Sequence, residues 1–546
     1  MTDLAPFAVR VKALPELGLG VSTEYGAAGH PGALDLVGLR RHFPSYAQFL
    51  EVGVEVAVGI DAHARDWVAA GGRTTYHFLD VNLDEPEDFD AEWLDSVRTT
   101  AAALQPAWLC GDAGVWHFGC RDRGQMLLLP PVLTRSVAEA NADGVRALRA
   151  ATGLEVLPEN PPGAAFVGDL HLLSFYSALA EAGDTGLVLD AAHLAIYQAA
   201  RGLEPLAGFA DFAIERVVEL HVAGGKPREV AGFRFIEDDH SPAVLDATWR
   251  IVEAVVARAP NLKAIVFECE RNPVQAMLPA MGRLERLWAG RRSRVGAPLG
   301  TGVAPPRGAA LDHAAARALQ HELVLRHFAP RGAAPRPPID GIDPRAFLLD
   351  PLRPKRLCGA LIEEYPVASA ILGVDAVEEF LGSAAWEACV RGRGSMALTF
   401  GAWVEGRVGA VARLEAAIVR VRRARAEPMG DGRLRLASGA ELLRLPEGVY
   451  AAWGHAHAAG ELALRVAAGL RLAAPVPAEH EEWVVVVPEG AGVRVEALPD
   501  AAGTLLAATR AGLTRAEVEA EVVRLGAGVD DAVEIVDELV ADGLLA

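Results

Sequence analysis

Cysteine is sparse in this 546-residue chain. The five present, Cys110, Cys120, Cys269, Cys358 and Cys389, form no Cys-x-x-Cys pair, which argues against a zinc ribbon or a disulfide framework. Scattered, reduced thiols suit the cytoplasm. No apolar run reaches the ~18 residues of a membrane span, and the opening MTDLAPFAVRVKALPELG has no apolar segment behind a basic start. A cytoplasmic protein without a membrane partner is expected. Positive charge is also lacking: 72 acidic residues outnumber 52 basic ones and the formal charge is −20, which argues against generic binding to nucleic acid or anionic membrane. Lysine is scarce, while alanine, glycine, valine and arginine abound. That pattern looks like high-GC coding bias, so the many alanines carry little functional information.

What is present is a packed, multi-domain composition, with 51% hydrophobic and 23% charged residues. The length predicts two to four domains. Strand-like runs at 15–22, 48–56, 74–83, 106–112, 154–159, 185–191, 216–223 and 262–269 alternate with helical patterns such as AEWLDSVRTTAAALQ and RSVAEANADGVRALRAAT. Eight such alternations predict an α/β fold, a (β/α)8 TIM barrel over 1–290. A Pro/Gly/Arg-rich stretch at 291–342 reads as linker. Residues 343–444 read as a helical domain, and 445–546 as a winged-helix-like α+β module built on EEWVVVVPEGAGVRVEAL and two acidic amphipathic helices. The acids of those helices, Glu517 to Glu538, read as a solvated face.

Four side chains end four successive strand runs: Glu159 in LEVLPEN, Asp190 in TGLVLDAAH, His221 in VVELHVAGG and Glu268 in AIVFECE. A parallel barrel brings such ends to one rim. Carboxylate and imidazole are the ligands that suit iron, manganese or zinc. His77, Asp112, His193, Asp238, Asp239 and His240 are expected on the same rim. His193, three residues after Asp190, is placed to reach a second metal. His77 fits a buried barrel histidine equally well, and the run 238–240 would serve as a cap for the helix near Pro242. Glu55, Glu219 and Glu270 also lie on strands; Glu268 is preferred to Glu270 because it sits where the apolar run AIVF ends.

The motifs LEVLPENP, LVLDAAHLA, ELHVAGG, DDHSPAVLDATW and VFECERNP resemble those of the multinuclear non-haem iron-dependent oxidative enzymes, the methanobactin-type and thiaglutamate-type peptide maturases. The resemblance covers about 15–288. It implies one to three irons (Fe2+/Fe3+) at the barrel rim, dioxygen as co-substrate, and oxidative modification of a side chain, with cysteine the leading candidate, in a ribosomally made precursor peptide. It also implies that Glu159, Asp190, His221 and Glu268 are ligands, joined by His77, with His193, His240 and Asp238 binding a second iron or moving protons.

The sequence departs from the family at Gly53, where a histidine is usual, at Cys110–Ala113, at Ala192 and His193, which replace paired asparagines, and at Gly225. Asp112 and His193 are candidate substitutes. In the C-terminal half, EEYPVASAILG, FGAWVEG and ARLEAAIVRVRRA resemble the partner protein that accompanies these enzymes, so a fused partner is expected, with the strand EEWVVVVPEG offering an edge to an extended leader peptide. Two other readings remain: a non-redox isomerase or hydrolase of the xylose-isomerase-like type, for which Lys226 is the nearby rim lysine, and a degenerate peptide-binding scaffold, suggested by Gly53, Gly111 and Gly225.

Overall fold

The eight strand runs pair side by side in parallel and close on themselves. The structure is a computed structural model that describes residues 5–546 except 24–33, 122–126, 292–301, 304–309, 331–332, 334–335, 349–351, 425–431, 459, 477 and 491. The strands are β1 (Gly18–Thr23), β2 (Phe49–Val54), β3 (Arg73–Phe78), β4 (Leu109–Asp112), β5 (Val156–Glu159), β6 (Leu187–Asp190) and β7 (Val217–Ala223). A hairpin, β8 (Gly225–Val230) and β9 (Phe233–Asp238), precedes the eighth barrel strand, β10 (Ala264–Glu268). The closed order is β1-β10-β7-β6-β5-β4-β3-β2. The barrel is an α/β fold with a helix after most strands, as the alternation predicts.

Local chemistry sets the helix boundaries. Asp90 and Thr134 accept the N–H groups of Trp93 and Val137 and start the helices Ala91–Leu104 and Arg135–Thr152. Gly153, at φ +74°, ends the second in the left-handed conformation that glycine tolerates best. Apolar faces of these helices meet barrel residues such as Leu50, Tyr76, Leu109, Val156 and Leu220 in one continuous core.

The hairpin β8–β9 is absent from the sequence reading, which placed 238–240 in a loop. Half of its twelve residues are charged and only Gly225 is buried, so it lacks the buried apolar run that marks the barrel strands. A tight turn with positive φ at Ala231 and Gly232 closes it.

The chain divides into two compact units, Met1–His327 with Ala334–Pro351, and Phe328–Ala333 with Leu352–Ala546. Much of the stretch read as linker lies outside the described residues. Within it the helix His313–His327 buries Ala316 and Leu323 in the barrel unit's core, so that unit extends past 290. In the second unit six helices between Leu352 and Arg423 are followed by an antiparallel sheet, β11 (Glu441–Pro446), β12 (Glu481–Glu489) and β13 (Gly492–Leu498). Helices Asp500–Ala508, Arg515–Arg524 and Val529–Ala541 pack on that sheet through Leu505, Val518, Val522 and Val536. A boundary at 444/445 falls inside β11, and the helical and sheet parts form one unit.

The expectation that EEWVVVVPEG offers a free edge is wrong. β12 is the central strand, bonded to β11 on one side and β13 on the other, as its four buried valines Val484–Val487 require. Among the described residues, no helix is long and apolar enough to cross a membrane.

Residues that carry the partner-like motifs contact one another. The Glu415 carboxylate accepts the backbone N–H groups of Val367 and Ala368, each at 2.9 Å, at the start of the helix Pro366–Leu372. Glu415 is buried, so removing its oxygens strands two donors away from water. Glu415→Ala should destabilise the second unit by at least about 1–3 kcal/mol in denaturant unfolding. Glu415→Gln, which keeps one acceptor, should cost less.

Candidate metal centre at the barrel rim

The strand registers bring the polar residues to one level. Asp112 and Glu159 are direct neighbours at the ends of β4 and β5, and Asp190 faces His221 across β6 and β7. His77 lies one residue before the end of β3, and Glu268 ends β10. Asp238 ends β9, with His240 two residues on. His193 occupies the first turn of the helix Ala191–Ala200, which begins directly after Asp190 and is capped by its carboxylate. Every candidate ligand named from the sequence therefore reaches this rim.

The distances define overlapping groups. His221 Nδ1 lies 2.9 Å from Glu159 Oε1 and 3.4 Å from Glu268 Oε1. Ligand atoms of Asp190, His221 and Glu268 all fall within 4.8 Å of one another, as do those of His77, Asp112 and Glu159 and those of Glu159, Asp190 and His193. His77 Nε2 is 3.0 Å from Glu159 Oε2 and 3.8 Å from Asp112 Oδ2. Glu159 thus presents one oxygen to His221 and the other to His77.

His193 needs closer inspection. Its Nδ1 is 3.8 Å from each of Asp112, Glu159 and Asp190, but it donates to the Asn160 carbonyl at 2.8 Å. In a neutral imidazole that leaves Nε2 with the lone pair, and Nε2 lies 3.1 Å from Asp238 Oδ2. His240 Nε2 approaches the same oxygen at 3.4 Å and Glu268 Oε2 at 3.9 Å. An outer group of His193, Asp238, His240 and Glu268 follows.

Glu270, the alternative to Glu268, accepts from Ser22 Oγ–H and lies 2.9 Å from His240 Nδ1. It supports His240 while Glu268 faces the inner group. The sequence reading missed Glu51. It lies in the middle of β2, is buried, and has Oε2 3.1 Å from His221 Nε2 and 3.1 Å from Cys110 Sγ. A charged residue inside the wholly buried strand FLEVGV was the available signal. A separate trio, Glu85, Asp88 and His117, also escaped notice. There His117 Nε2 is 2.7 Å from Asp88 Oδ2, which accepts Asn82 N–H, a pairing that ties the loops after β3 and β4 together.

Charge is the dominant feature. Eight carboxylates (Glu51, Asp112, Glu159, Asp190, Glu219, Asp238, Glu268 and Glu270) surround four imidazoles, and all of the carboxylates but Asp238 are buried. Burial pushes Asp190 up to about 7 against the pull of His193, and pushes Glu219 up to about 8 with help from Glu51. Burial and the Glu159 charge raise Asp112 well above the usual carboxylate range. Burial works against a charged His77, yet its bond to Glu159 and the charges of Glu51, Glu159 and Asp112 push it up to about 9.

Buried polar atoms with no hydrogen-bond partner gather here: Asp112 Oδ1, Glu159 Oε1, Asp190 Oδ2, His221 Nδ1, Asp238 Oδ1 and Glu268 Oε2. Buried acceptors are normally satisfied, so a cluster of orphans on hard donor atoms fits a cation.

Residues 37–285 match the model of the RiPP precursor modification enzymes MbnB/TglH/ChrH. The barrel is similar to this family over that stretch. Among curated relatives, a UPF0276 protein of Rhizorhabdus wittichii is 23% identical over 262 residues, covering 44% of this chain and 91% of its own. A UPF0276 protein of Caulobacter vibrioides is 23% identical over 286 residues, covering 48% and 98%. Among solved structures, a D-psicose 3-epimerase determined with D-fructose has 11% identity and a TM-score of 0.30, covering 50% of this chain and 97% of its own.

Gly53 and Gly225 sit in crowded surroundings. A Cβ at Gly53 would lie 2.9 Å from the Thr23 carbonyl and 3.2 Å from Leu79, and one at Gly225 would lie 3.0 Å from Ile236. Neither position has room for a histidine without movement of its neighbours.

The titrations fix a pH dependence for the metal-free protein. His77 is raised from 6.5 to about 9, so its contribution to stability is complete below pH 6.5 and is lost as pH rises through 9. Asp190, raised from 3.8 to about 7, and Glu219, raised from 4.5 to about 8, keep protons that the unfolded chain has released. They also make stability fall as pH rises, over 3.8–7 and 4.5–8. The Tm of chelator-treated protein should decline from pH 6.5 to 9, and added divalent metal should raise it more at pH 8 than at pH 6, because the ion replaces protons. A flat profile for the chelated protein would contradict this account of the rim.

Proposed function

We propose that this chain is a non-haem iron enzyme that uses dioxygen to modify a side chain, a cysteine in the first instance, of a ribosomally synthesised precursor peptide. The observation that carries the reading is the set of orphaned oxygen and imidazole atoms on a rim with twice as many carboxylates as imidazoles. The match of residues 37–285 to the precursor-modifying enzymes supports a peptide as the substrate class. Bound iron supplies the electrons for dioxygen chemistry and an open position for a substrate thiolate.

Glu159, Asp190, His221 and Glu268 hold the principal ion in this reading. His77 and Asp112 extend the set on the far oxygen of Glu159. His193, Asp238 and His240 bind a second ion or pass protons, since Asp238 Oδ2 lies between the two imidazole Nε2 atoms at 3.1 and 3.4 Å and His240 is the partly exposed member. The second unit is the natural place for precursor binding, as a fused counterpart of the family's partner protein.

The isomerase reading loses its lysine. Lys226 is exposed on β8, opposite Glu237, and belongs to the charged hairpin.

Protein purified without oxygen should contain iron, lose it in His221→Ala and Glu159→Gln, and consume dioxygen only when the precursor peptide is supplied. Uptake of zinc or magnesium alone, with no oxygen consumption, would refute the oxidative reading.

A further inference from the structure

The nitrogen that His221 presents to the rim is decided from beneath. His221 is fully buried, and a neutral imidazole carries a single N–H. Glu159 Oε1 at 2.9 Å and Glu268 Oε1 at 3.4 Å both face Nδ1, so these two carboxylates on their own would draw the proton to Nδ1 and turn that nitrogen into a donor. Glu51 Oε2, 3.1 Å from Nε2, stands on the opposite side of the ring. The Cys110 thiol also donates to this oxygen, at 3.1 Å, and holds the carboxylate in place.

We infer that Glu51 is a positioning residue that keeps the His221 proton on Nε2 and leaves the Nδ1 lone pair for a metal ion. Such a carboxylate behind a ligating histidine fixes the ring orientation and raises its basicity. The alternative, in which Glu51 is itself a ligand together with Glu219, requires His221 to bind through Nε2. In that arrangement Trp108 Nε1–H, which donates to Glu219 Oε2 at 2.6 Å, leaves Glu219 to bind through Oε1. The orphaned state of His221 Nδ1 favours the first arrangement. This inference rests on the metal reading above, and the test separates the two.

The full chain is stripped with chelator and titrated with Zn2+ alone, in the parent and in Glu51→Leu and Glu51→Gln. Leucine fills similar space without an acceptor, whereas the glutamine amide oxygen still accepts from Nε2–H. Glu51→Leu should weaken Zn2+ binding by about 10–100-fold, the usual effect of losing such a partner, and Glu51→Gln should recover most of it. Circular dichroism and melting of the stripped variants check that folding is retained.

A second measurement needs no variant of Glu51: 15N NMR of histidine-labelled, Zn2+-loaded protein, with His221 assigned from the signal lost in His221→Gln. Metal-bound Nδ1 with protonated Nε2 is expected. Metal on Nε2, or equal affinity in the leucine variant and the parent, would overturn the role given to Glu51 and leave the metal site standing. A parent chain that takes up no Zn2+ would overturn both.

Discussion

Mutual repulsion among buried carboxylates governs this barrel. Two like charges 4 Å apart interact by about 4 kcal/mol even at an effective dielectric of 20, and the rim holds eight carboxylates around four imidazoles. Fully charged imidazoles would neutralise only half of them. The remainder must be balanced by protons or by cations, and the raised values of Asp112, Asp190 and Glu219 are the proton solution to the same problem. A loose scaffold would relieve such a cluster by moving apart. The closed barrel prevents that, because Glu159, Asp190, His221 and Glu268 are each part of a hydrogen-bonded strand whose neighbours are also fixed.

The same constraint explains what was legible in the sequence. Eight apolar runs separated by amphipathic segments encode the barrel directly, and polar residues at the ends of those runs stand out because the rest of each run is apolar. Glu159, Asp190 and Glu268 are the final residues of their strands, so strand length alone points to them. Glu51 is harder to see. It lies three residues before the end of β2, in register with Ser22 and Thr75, and no local pattern encodes which side chain it meets 170 residues away. The hairpin β8–β9 was missed for the opposite reason: its faces are polar, and its pairing is set by a turn and cross-strand ion pairs such as Arg228 with Glu237. In the second unit, VVVV marks a buried strand, and burial on this scale belongs to a strand paired on both sides, which is why β12 is central and offers no edge.

Gly53 and Gly225 are crowded positions beside the rim. A side chain at either position would meet packed neighbours: the Thr23 carbonyl and Leu79 at Gly53, Ile236 and Leu245 at Gly225. Asp112 and His193 are near enough to the same carboxylates to offer other donors. These donors lie on β4 and in the helix after β6, beside the strand-end carboxylates.

Orientation of the imidazoles completes the organisation. The Asn160 carbonyl holds His193 by Nδ1, Glu270 holds His240 by Nδ1, and Glu51 holds His221 by Nε2. Nε2 therefore points to the outer group in the first two, and Nδ1 to the inner group in the third. Glu268 spans both, with Oε1 3.4 Å from His221 and Oε2 3.9 Å from His240, as Glu159 spans His221 and His77. Asn160 adds the rigidity this requires: its side chain accepts from Asp190 N–H at 2.9 Å and donates to Asp190 O at 3.0 Å, locking the end of β5 to the end of β6 while its own carbonyl orients His193. A carboxylate that offers one oxygen to each of two differently oriented imidazoles joins the inner and outer groups into one network, so the position of each ring depends on its neighbours across the barrel.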